Sequence, residues 1–273
     1  MTRVAFTALL ALALTVTAAF LLLPVLAIFL EVSPGRLLDE LGSDVAVDAA
    51  RVTLKTNAIA LGLIVLFGTP SAYLLATRRF RGRALVVTLL ELPLVLPPAV
   101  AGIGLLVAFG RQGLLGGTLD AAGISVGFTQ LAVICAVTFV ASPFYVRTAI
   151  AAFESIDETM FDAARTLGVG PARTFVRVAL PLAAGGLSAG AAMAFARGLG
   201  EFGATIMFAG SLQGVTQTVS LAIYQEFDVN LDAALAISAL LVLVSGAILL
   251  SVKVVSARAP SVWTSPPRFA RSG

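Results

Sequence analysis

The chain has 273 residues, of which 59% are hydrophobic and only 12% are charged, and its formal net charge is +3. Since about a quarter of the residues in a soluble domain are charged, this composition excludes an ordinary soluble enzyme and indicates an all-α integral membrane protein. There is no histidine, the single cysteine Cys135 lies in an apolar run, and neither lysine follows a glycine. We therefore expect no disulfide framework, no Cys/His metal site and no P-loop, so any ATP that drives this protein would bind to another chain.

Six apolar stretches are long enough, or nearly so, to cross the hydrocarbon core of a bilayer, which takes about 20 helical residues. They are residues 4–30, 57–77, 85–109, 128–146, 182–199 and 233–255. The first follows a basic residue, Arg3, as in a signal peptide, but its apolar run is too long and no small-x-small cleavage site follows it. We expect it to be retained, which gives one transmembrane domain over residues 1–273.

The basic residues are divided unequally between the two sides of these spans. On the predicted topology, 13 of the 18 Lys and Arg residues fall on the side that carries both termini and the polar segment 155–181. The other side has Arg36, Arg51, Lys55 and Arg111, with Arg197 near the end of the fifth span. The positive-inside rule then places both termini and segment 155–181 in the cytoplasm. The tail from about residue 257 to 273 is expected to be an irregular cytoplasmic end.

Two connections on the outer side contain acidic residues. The first, residues 31–55, has five of them, and the last, residues 201–232, has Glu226 and Asp228 near its end. Each connection is either a docking surface for an external partner or simply a solvated loop, and the sequence does not separate these possibilities.

The third span contains an acidic residue and three prolines. Glu91 lies near its cytoplasmic end, and Pro93, Pro97 and Pro98 follow. Prolines remove backbone hydrogen bonds from a membrane helix, so this span is a candidate for lining a pathway or bending at a gate. A carboxylate in a membrane helix is a functional candidate, although Glu91 can equally reach towards the basic turn at residues 78–83.

The segment between the fourth and fifth spans begins with a predicted helix. Ser155 and Glu158 have the spacing of a capping box, in which each side chain accepts from the backbone N–H of the other. The apolar residues that follow fall on one face of a helix. They are Ile156, Met160, Ala163, Ala164 and Leu167.

A turn and a second short helix complete this segment. Gly168 is expected to end the first helix in the left-handed conformation. Pro171 suits the first turn of the second helix, which runs to Pro181. The sequence therefore predicts a helix–turn–helix elbow at the membrane surface, with an apolar face and a charged border suited to docking a partner.

The elbow resembles the EAA loop of ABC-importer permeases, E-A-A-x3-G-x9-I-x-L-P. The match runs from Asp162-Ala163-Ala164 through Gly168 to Val178-x-Leu180-Pro181, with Asp for Glu and Val for Ile. In that family the loop is the coupling helix that sits in a groove of a separate ATPase subunit. The resemblance implies the type I importer permease fold and an ATPase-coupling role for Asp162, Ala163, Ala164, Gly168, Val178, Leu180 and Pro181.

The fifth span is rich in small residues and ends in two opposite charges. Gly186 and Gly190 form a G-x-x-x-G pair, which lets helix backbones approach closely, so this span is expected deep in the bundle or at a subunit interface. Arg197 and Glu201 are four residues apart. They either pair with each other on one helix or form a polar constriction in the path of an anion.

A second resemblance covers the outer end of this span. The stretch from Arg197 to Gly210, RGLGEFGATIMFAG, with Thr216-Gln217-Thr218 after it, is similar to the molybdate permeases. The related sulfate and tungstate permeases share an A-x-x-x-G-E-F-G-A core, and the Thr-Gln-Thr continuation favours molybdate. The candidate residues of the translocation path or gate are Arg197, Glu201 and Thr205 in this stretch, together with Glu91 and Pro97 of the third span.

The family resemblance also implies partners and a location. We expect a homodimer in the cytoplasmic (inner) membrane of a bacterium or archaeon, two ATPase subunits that hold ATP and Mg²⁺, and an extracytoplasmic oxyanion-binding protein. This chain itself would be no enzyme and would bind no cofactor. Permeases for tungstate or for sulfate and thiosulfate remain as alternatives. So do two other classes, an ATP-independent transporter or channel and a membrane scaffold that only recruits a partner.

Overall fold

Helices make up nearly all of the computed structural model, which describes residues 3–258 and contains no strand within that range. The helices are α1 (Arg3–Glu31), α2 (Pro34–Leu41), α3 (Asp44–Thr77), α4 (Arg83–Val95), α5 (Pro98–Phe109), α6 (Gly116–Ala121), α7 (Gln130–Glu154), α8 (Glu158–Thr166), α9 (Pro171–Thr174), α10 (Leu180–Leu199), α11 (Gly203–Ala209), α12 (Val219–Phe227) and α13 (Leu231–Arg258). A π-helical turn, Phe175–Ala179, joins α9 to α10. Of the predicted irregular tail, residues 257 and 258 belong to α13, and the rest lies outside the described residues.

Five of the six predicted spans are continuous helices. They are α1, α3, α7, α13 and the run Pro171–Leu199 that contains α9 and α10. Several are longer than predicted. The helix that contains the second span begins at Asp44, where the Ser43 hydroxyl accepts from the N–H of Ala46.

The predicted third span is broken at its prolines. It consists of α4 and α5, whose axes are bent by 114° at the break between them. Leu96 adopts an extended backbone, as a residue before a proline prefers, and neither Pro97 nor Pro98 has an N–H to continue the helix. The third span therefore consists of two half-length helices, and its bend lies at the prolines that the sequence marked.

The two acidic outer connections are also more ordered than a solvated loop. Helix α2 and the first turns of α3 occupy the first connection, and α11 and α12 occupy the last. Arg36 of α2 pairs with Asp232 of α13 at 2.6 Å, and Asn230 donates to Glu40 at 3.1 Å. These polar contacts join the two connections at the same end of the bundle.

The centre of the bundle is α7, which packs between α3 and α10. Small residues make these contacts possible, because a Cβ added at Gly190 would lie 3.1 Å from Thr148 Cβ, and one at Gly68 would lie 3.0 Å from the Tyr145 ring. The Tyr145 and Thr69 hydroxyls share a buried hydrogen bond of 2.6 Å. The glycine face of the fifth span therefore packs closely on α7, whereas only 22% of its membrane-spanning window is buried within this chain.

The two half-length helices α5 and α11 pack against each other through glycines. A Cβ at Gly102 would lie 2.6 Å from the Ala204 carbonyl oxygen and 2.8 Å from Met207 Cβ, and one at Gly203 would lie 2.6 Å from Pro98 Cβ. Such a close approach leaves no room for a side chain. The bend in the third span and the start of α11 are thus held against each other.

We expect Gly102→Ala to lower the free energy of unfolding by about 1–3 kcal/mol, because the added methyl group forces α5 and α11 apart. Gly104 on the same helix is a matched control, since nothing lies within 4 Å of an added Cβ there. Gly104→Ala should be neutral or stabilise by up to about 1 kcal/mol. Thermal unfolding of both purified variants in detergent measures the difference, and equal midpoints would contradict the α5–α11 contact.

Candidate functional site

The elbow begins where α7 ends, but not at the predicted residue. The Asp157 carboxylate accepts from the N–H of Thr159 at 2.9 Å and caps α8. Hydrogen bonds from the backbone and then the side chain of Thr159 lower the pKa of this carboxyl group below its usual value. The predicted capping box of Ser155 and Glu158 is therefore wrong. Because α7 continues through Glu154, Ser155 adopts a helical backbone as its C-cap.

The apolar face of α8 is divided between the core and the surface. Ala164 is buried, and Ile156 and Phe161 pack against the core cluster around Phe153. The other apolar residues of the predicted face point outwards. They are Met160, Ala163 and Leu167, of which Leu167 is 81% exposed. These three residues, at i, i+3 and i+7, define an exposed apolar strip on one side of α8.

A charged border and a tight turn flank the strip. Asp162 pairs with Arg165 at 2.8 Å, and both side chains are exposed. Gly168 has φ +70°, and the hydrogen bonds around it are those of a Schellman motif, Val169 N–H to Ala164 O and Gly168 N–H to Arg165 O, both 2.9 Å. The prediction that Gly168 ends the helix in the left-handed conformation is confirmed.

The second arm of the elbow continues directly into the membrane. Helix α9 begins at Pro171, as predicted, but it does not stop at Pro181. Since Pro181 has no N–H to donate, the turn before it widens into the π-helical turn, and α10 follows without a break. Val178 lies in that turn and is half-buried, and Leu180 and Pro181 open α10.

Three aromatic rings anchor both ends of the elbow to α3. The Tyr73 ring lies 5.3 Å from the Phe153 ring, at the end of α7, and 4.8 Å from the Phe175 ring, at the start of the π-helical turn. Arg83 adds an ion pair of 2.5 Å with Glu154. A displacement of the elbow is thereby passed to α3 and α4 as well as to its own helices.

Glu91 has a partner on α7. Its Oε1 lies 3.8 Å from Arg147 Nε, whereas Arg83 of the basic turn is held by Glu154. Glu91 therefore joins α4 to α7 rather than meeting Arg197 or Glu201, which pair with each other. Pro97 forms the bend before α5 and lies next to Pro98, which contacts Gly203.

The charged pair at the outer end of α10 is formed within the chain. Arg197 Nη2 donates to Glu201 Oε2 at 2.7 Å, and Glu201 Oε1 accepts from the N–H of Ala204 at 2.7 Å. Glu201 is 2% exposed, while 27% of the Arg197 side chain remains accessible. Glu201 thus links the end of α10 to the start of α11, and Arg197 keeps guanidinium N–H groups that are not bonded to any described residue.

Buried polar residues that the sequence reasoning missed lie on α3 and before α12. The N–H of Val219 donates to Thr53 Oγ1 at 2.8 Å, and Asn57 packs against Gly198, where a Cβ would collide with its side-chain oxygen. The signal was the spacing Thr53-x-x-x-Asn57 at the start of an apolar span, together with the Thr-Gln-Thr sequence. Besides Glu201 and Thr205, which the sequence marked as path candidates, the buried polar residues here are Thr53, Thr56, Asn57, Thr216, Gln217 and Thr218.

Several of these groups have no partner among the described residues. They include Asn57 Nδ2, Thr205 Oγ1, Thr218 Oγ1 and Gln217 Oε1. An unsatisfied buried polar group costs about 1–3 kcal/mol, so these groups require hydrogen-bond partners beyond the described residues. Amide, hydroxyl and guanidinium N–H and O–H groups are the donors that an oxyanion requires.

Comparisons with known proteins agree with this architecture. The family model described as binding-protein-dependent transport system inner membrane component matches residues 58–259. The molybdenum transport system permease protein ModB of Mycobacterium tuberculosis is 44% identical over 85% of this chain and 88% of its own. The sulfate transport system permease protein CysT of Salmonella typhimurium is 36% identical over 87% of both chains.

A solved structure shows the same fold. The chain superposes with a TM-score of 0.70 on a subunit of a bacterial alginate ABC transporter solved in complex with an alginate pentasaccharide-bound periplasmic protein. That match covers 93% of this chain and 94% of the other at 17% identity. Given the family match and these relatives, this multi-pass membrane protein belongs to the inner membrane components of binding-protein-dependent transport systems, the permeases of ABC importers.

Proposed function

We propose that this chain is the permease of an ATP-driven molybdate importer. Molybdate as the substrate is supported by the near full-length similarity to the mycobacterial molybdenum permease. An ATPase partner is supported by the elbow. A helix that exposes Met160, Ala163 and Leu167 to water is unfavourable without a partner. Family membership favours this function over an ATP-independent channel or a scaffold.

The elbow is the surface that docks the ATPase. Each permease of a homodimer presents one elbow to one of two ATPase subunits, which bind ATP and Mg²⁺ and carry out hydrolysis, so this chain is no enzyme itself. Burying the exposed Leu167 side chain would contribute about 1.5–3 kcal/mol. The small Ala163 side chain and the tight αL turn at Gly168 allow a partner to approach the helix backbone closely. Closure of the ATPase pair then moves the elbow and the helices anchored to it.

The elbow faces the cytoplasm in this proposal, and the membrane is the cytoplasmic membrane. The Arg83–Glu154 ion pair places the basic turn before α4 at the same end of the bundle as the elbow. Positively charged connections favour the cytoplasmic side. The outer surface built by α2 and the start of α13 then faces the binding protein, and both termini are cytoplasmic.

The translocation path is proposed to pass the polar cluster around Arg197, Asn57 and Thr205. Arg197 neutralises part of a dianion's charge, and the unpartnered Asn57 amide N–H and the Thr205 and Thr218 hydroxyls donate hydrogen bonds to its oxygens. The bend at Pro97 and the short helix α11 provide elements that can shift as the path changes from inward-open to outward-open. Glu91 contributes by tying α4 to α7 rather than by touching the anion.

A sulfate importer is the second candidate, because the similarity to the sulfate permease covers as much of the chain. Molybdate, tungstate and sulfate are all tetrahedral dianions, and the same donors serve each of them. The delivering protein then sets most of the selectivity.

We expect Gly168→Val to leave the protein inserted but to reduce binding-protein-stimulated ATP hydrolysis about tenfold. A β-branched residue at φ +70° costs about 1–2 kcal/mol, which the turn relieves by changing the angle of α8. Gly170→Val is the control, because Gly170 has an ordinary extended backbone, open surroundings and a following proline. Wild-type stimulation of the Gly168 variant would remove the elbow from the coupling mechanism.

The role of Arg197 can be separated from the stability of its ion pair. Arg197→Gln alone should lower the free energy of unfolding by about 3–5 kcal/mol, since it leaves the buried Glu201 carboxylate unpaired. The double variant Arg197→Gln/Glu201→Gln should recover most of that stability. If Arg197 contacts the anion, the double variant still fails in liposome uptake of radiolabelled molybdate, whereas normal uptake would make the pair purely structural.

The substrate is tested with the permease and its ATPase reconstituted in liposomes. A binding protein loaded with molybdate should stimulate ATP hydrolysis, and the same protein loaded with sulfate should stimulate it less. The free binding protein provides the baseline. Stimulation by sulfate alone would replace the first candidate by the second, and indifference to every loaded protein would contradict both.

A further inference from the structure

The turn between α3 and α4 carries an unusual set of side chains. Residues 78–82 read Arg-Arg-Phe-Arg-Gly, and all five are exposed. Gly82 has φ +93°, which lets the chain reverse within these few residues before α4 begins. Three guanidinium groups and one aromatic ring are therefore concentrated at the end of a helical hairpin.

The arginines of the turn are not used by the protein itself. Among residues 3–258, no ion pair or side-chain hydrogen bond is formed by Arg78, Arg79 or Arg81. The next arginine differs, because Arg83 donates from Nε to Leu75 O at 2.7 Å and from Nη2 to Glu154 at 2.5 Å. Arg83 thus fixes the turn in place, and the other three charges remain available for a ligand.

The side chains around the turn indicate that it lies at the boundary between lipid and water. Leu74, one turn before it, is 53% exposed, and Leu85, just after it, is 63% exposed. Phe80, inside the turn, is 43% exposed. Large apolar side chains that point outwards on membrane-spanning helices face lipid. The three arginines therefore lie where the acyl chains give way to the headgroups.

We propose that this turn binds the phosphate of an anionic phospholipid. Guanidinium groups bind phosphate oxygens through paired hydrogen bonds. Clustered basic residues next to a membrane span attract anionic lipids. Phe80 packs among the acyl chains of the same lipid. An acidic protein surface would also attract the charges, but it would leave Phe80, Leu74 and Leu85 without an apolar neighbour.

A bound lipid would act on more than the turn. Arg83 connects the turn to Glu154 at the end of α7, immediately before the elbow. Tyr73, one helical turn before the basic segment, touches the rings on both sides of the elbow. Anionic lipid would hold the α3–α4 hairpin at a fixed depth in the membrane. The elbow would be held with it, through the contacts of Tyr73 and Arg83. This site is independent of which oxyanion the permease carries.

Lipid binding by the full chain in detergent provides the test. The probes are fluorescent phosphatidylglycerol, phosphatidylcholine as the zwitterionic comparison, and inorganic phosphate as a competitor. Arg78→Gln/Arg79→Gln should weaken phosphatidylglycerol binding about tenfold or more. Arg78→Lys/Arg79→Lys should bind more tightly than the Gln variant and less tightly than the wild type, because it keeps the charges but not the paired hydrogen bonds. Arg51→Gln/Arg111→Gln, which removes two exposed charges elsewhere, should bind as the wild type does.

The possible outcomes separate the proposal from its rivals. Equal phosphatidylglycerol binding by the Gln and Lys variants, or equal binding of the two lipids by the wild type, would overturn it. Competition by inorganic phosphate as strong as that by lipid would make the turn a free-anion site, which also overturns it. If the Gln variant keeps lipid binding but loses affinity for the ATPase, the turn is a protein contact. Thermal unfolding of all variants is the folding control, and a variant whose midpoint equals that of the wild type has lost lipid binding without misfolding.

Discussion

Close contact between the backbones of α3, α7 and α10 is the constraint on which the rest of this structure depends. Lipid tails are as apolar as leucine, so helices in a bilayer associate through tight packing and hydrogen bonds rather than through hydrophobic burial. Gly68 and Gly190 place two helices directly on the Tyr145 ring, and Tyr145 shares a buried hydrogen bond with Thr69. The half-length helices and the elbow are attached to this three-helix centre and take their positions from it.

Much of this arrangement could be predicted from the sequence where the governing interaction is local. Hydrophobic length identified five continuous spans, and the αL preference of glycine identified the end of α8 at Gly168. Local signals failed where a neighbouring element competed for the same residue. Ser155 has the spacing of an N-capping residue, but it is the C-cap of α7, which continues to Glu154. At Pro97 and Pro98 the missing backbone N–H groups end the helix, although the apolar run continues on both sides.

The polar cluster was only half predictable for the same reason. Arg197 and Glu201 are four residues apart at the C-terminal end of α10, so their ion pair follows from i, i+4 spacing although Glu201 lies just beyond the helix. Asn57 and the Thr-Gln-Thr segment are far apart in sequence, and only the fold brings them to the end of α10. An unpartnered amide in the core of a membrane protein cannot be recognised from the sequence, since the burial that makes it significant depends on long-range contacts.

The continuity of the second arm of the elbow with the fifth span gives the molecule a direct mechanical connection. Residues Pro171–Leu199 form one helical run of 29 residues, about 44 Å long at 1.5 Å per residue. One end is the elbow, and the other carries Arg197 at the polar cluster. The π-helical turn lies near the elbow end and is held by Phe175 against Tyr73. Because a packed helix transmits rotation along its length, a change in the angle of the elbow reaches the charged pair without a chain of intermediate side chains. The widened turn is the one place along the run where part of that rotation can be absorbed, so the aromatic contact that restrains it also determines how much reaches Arg197.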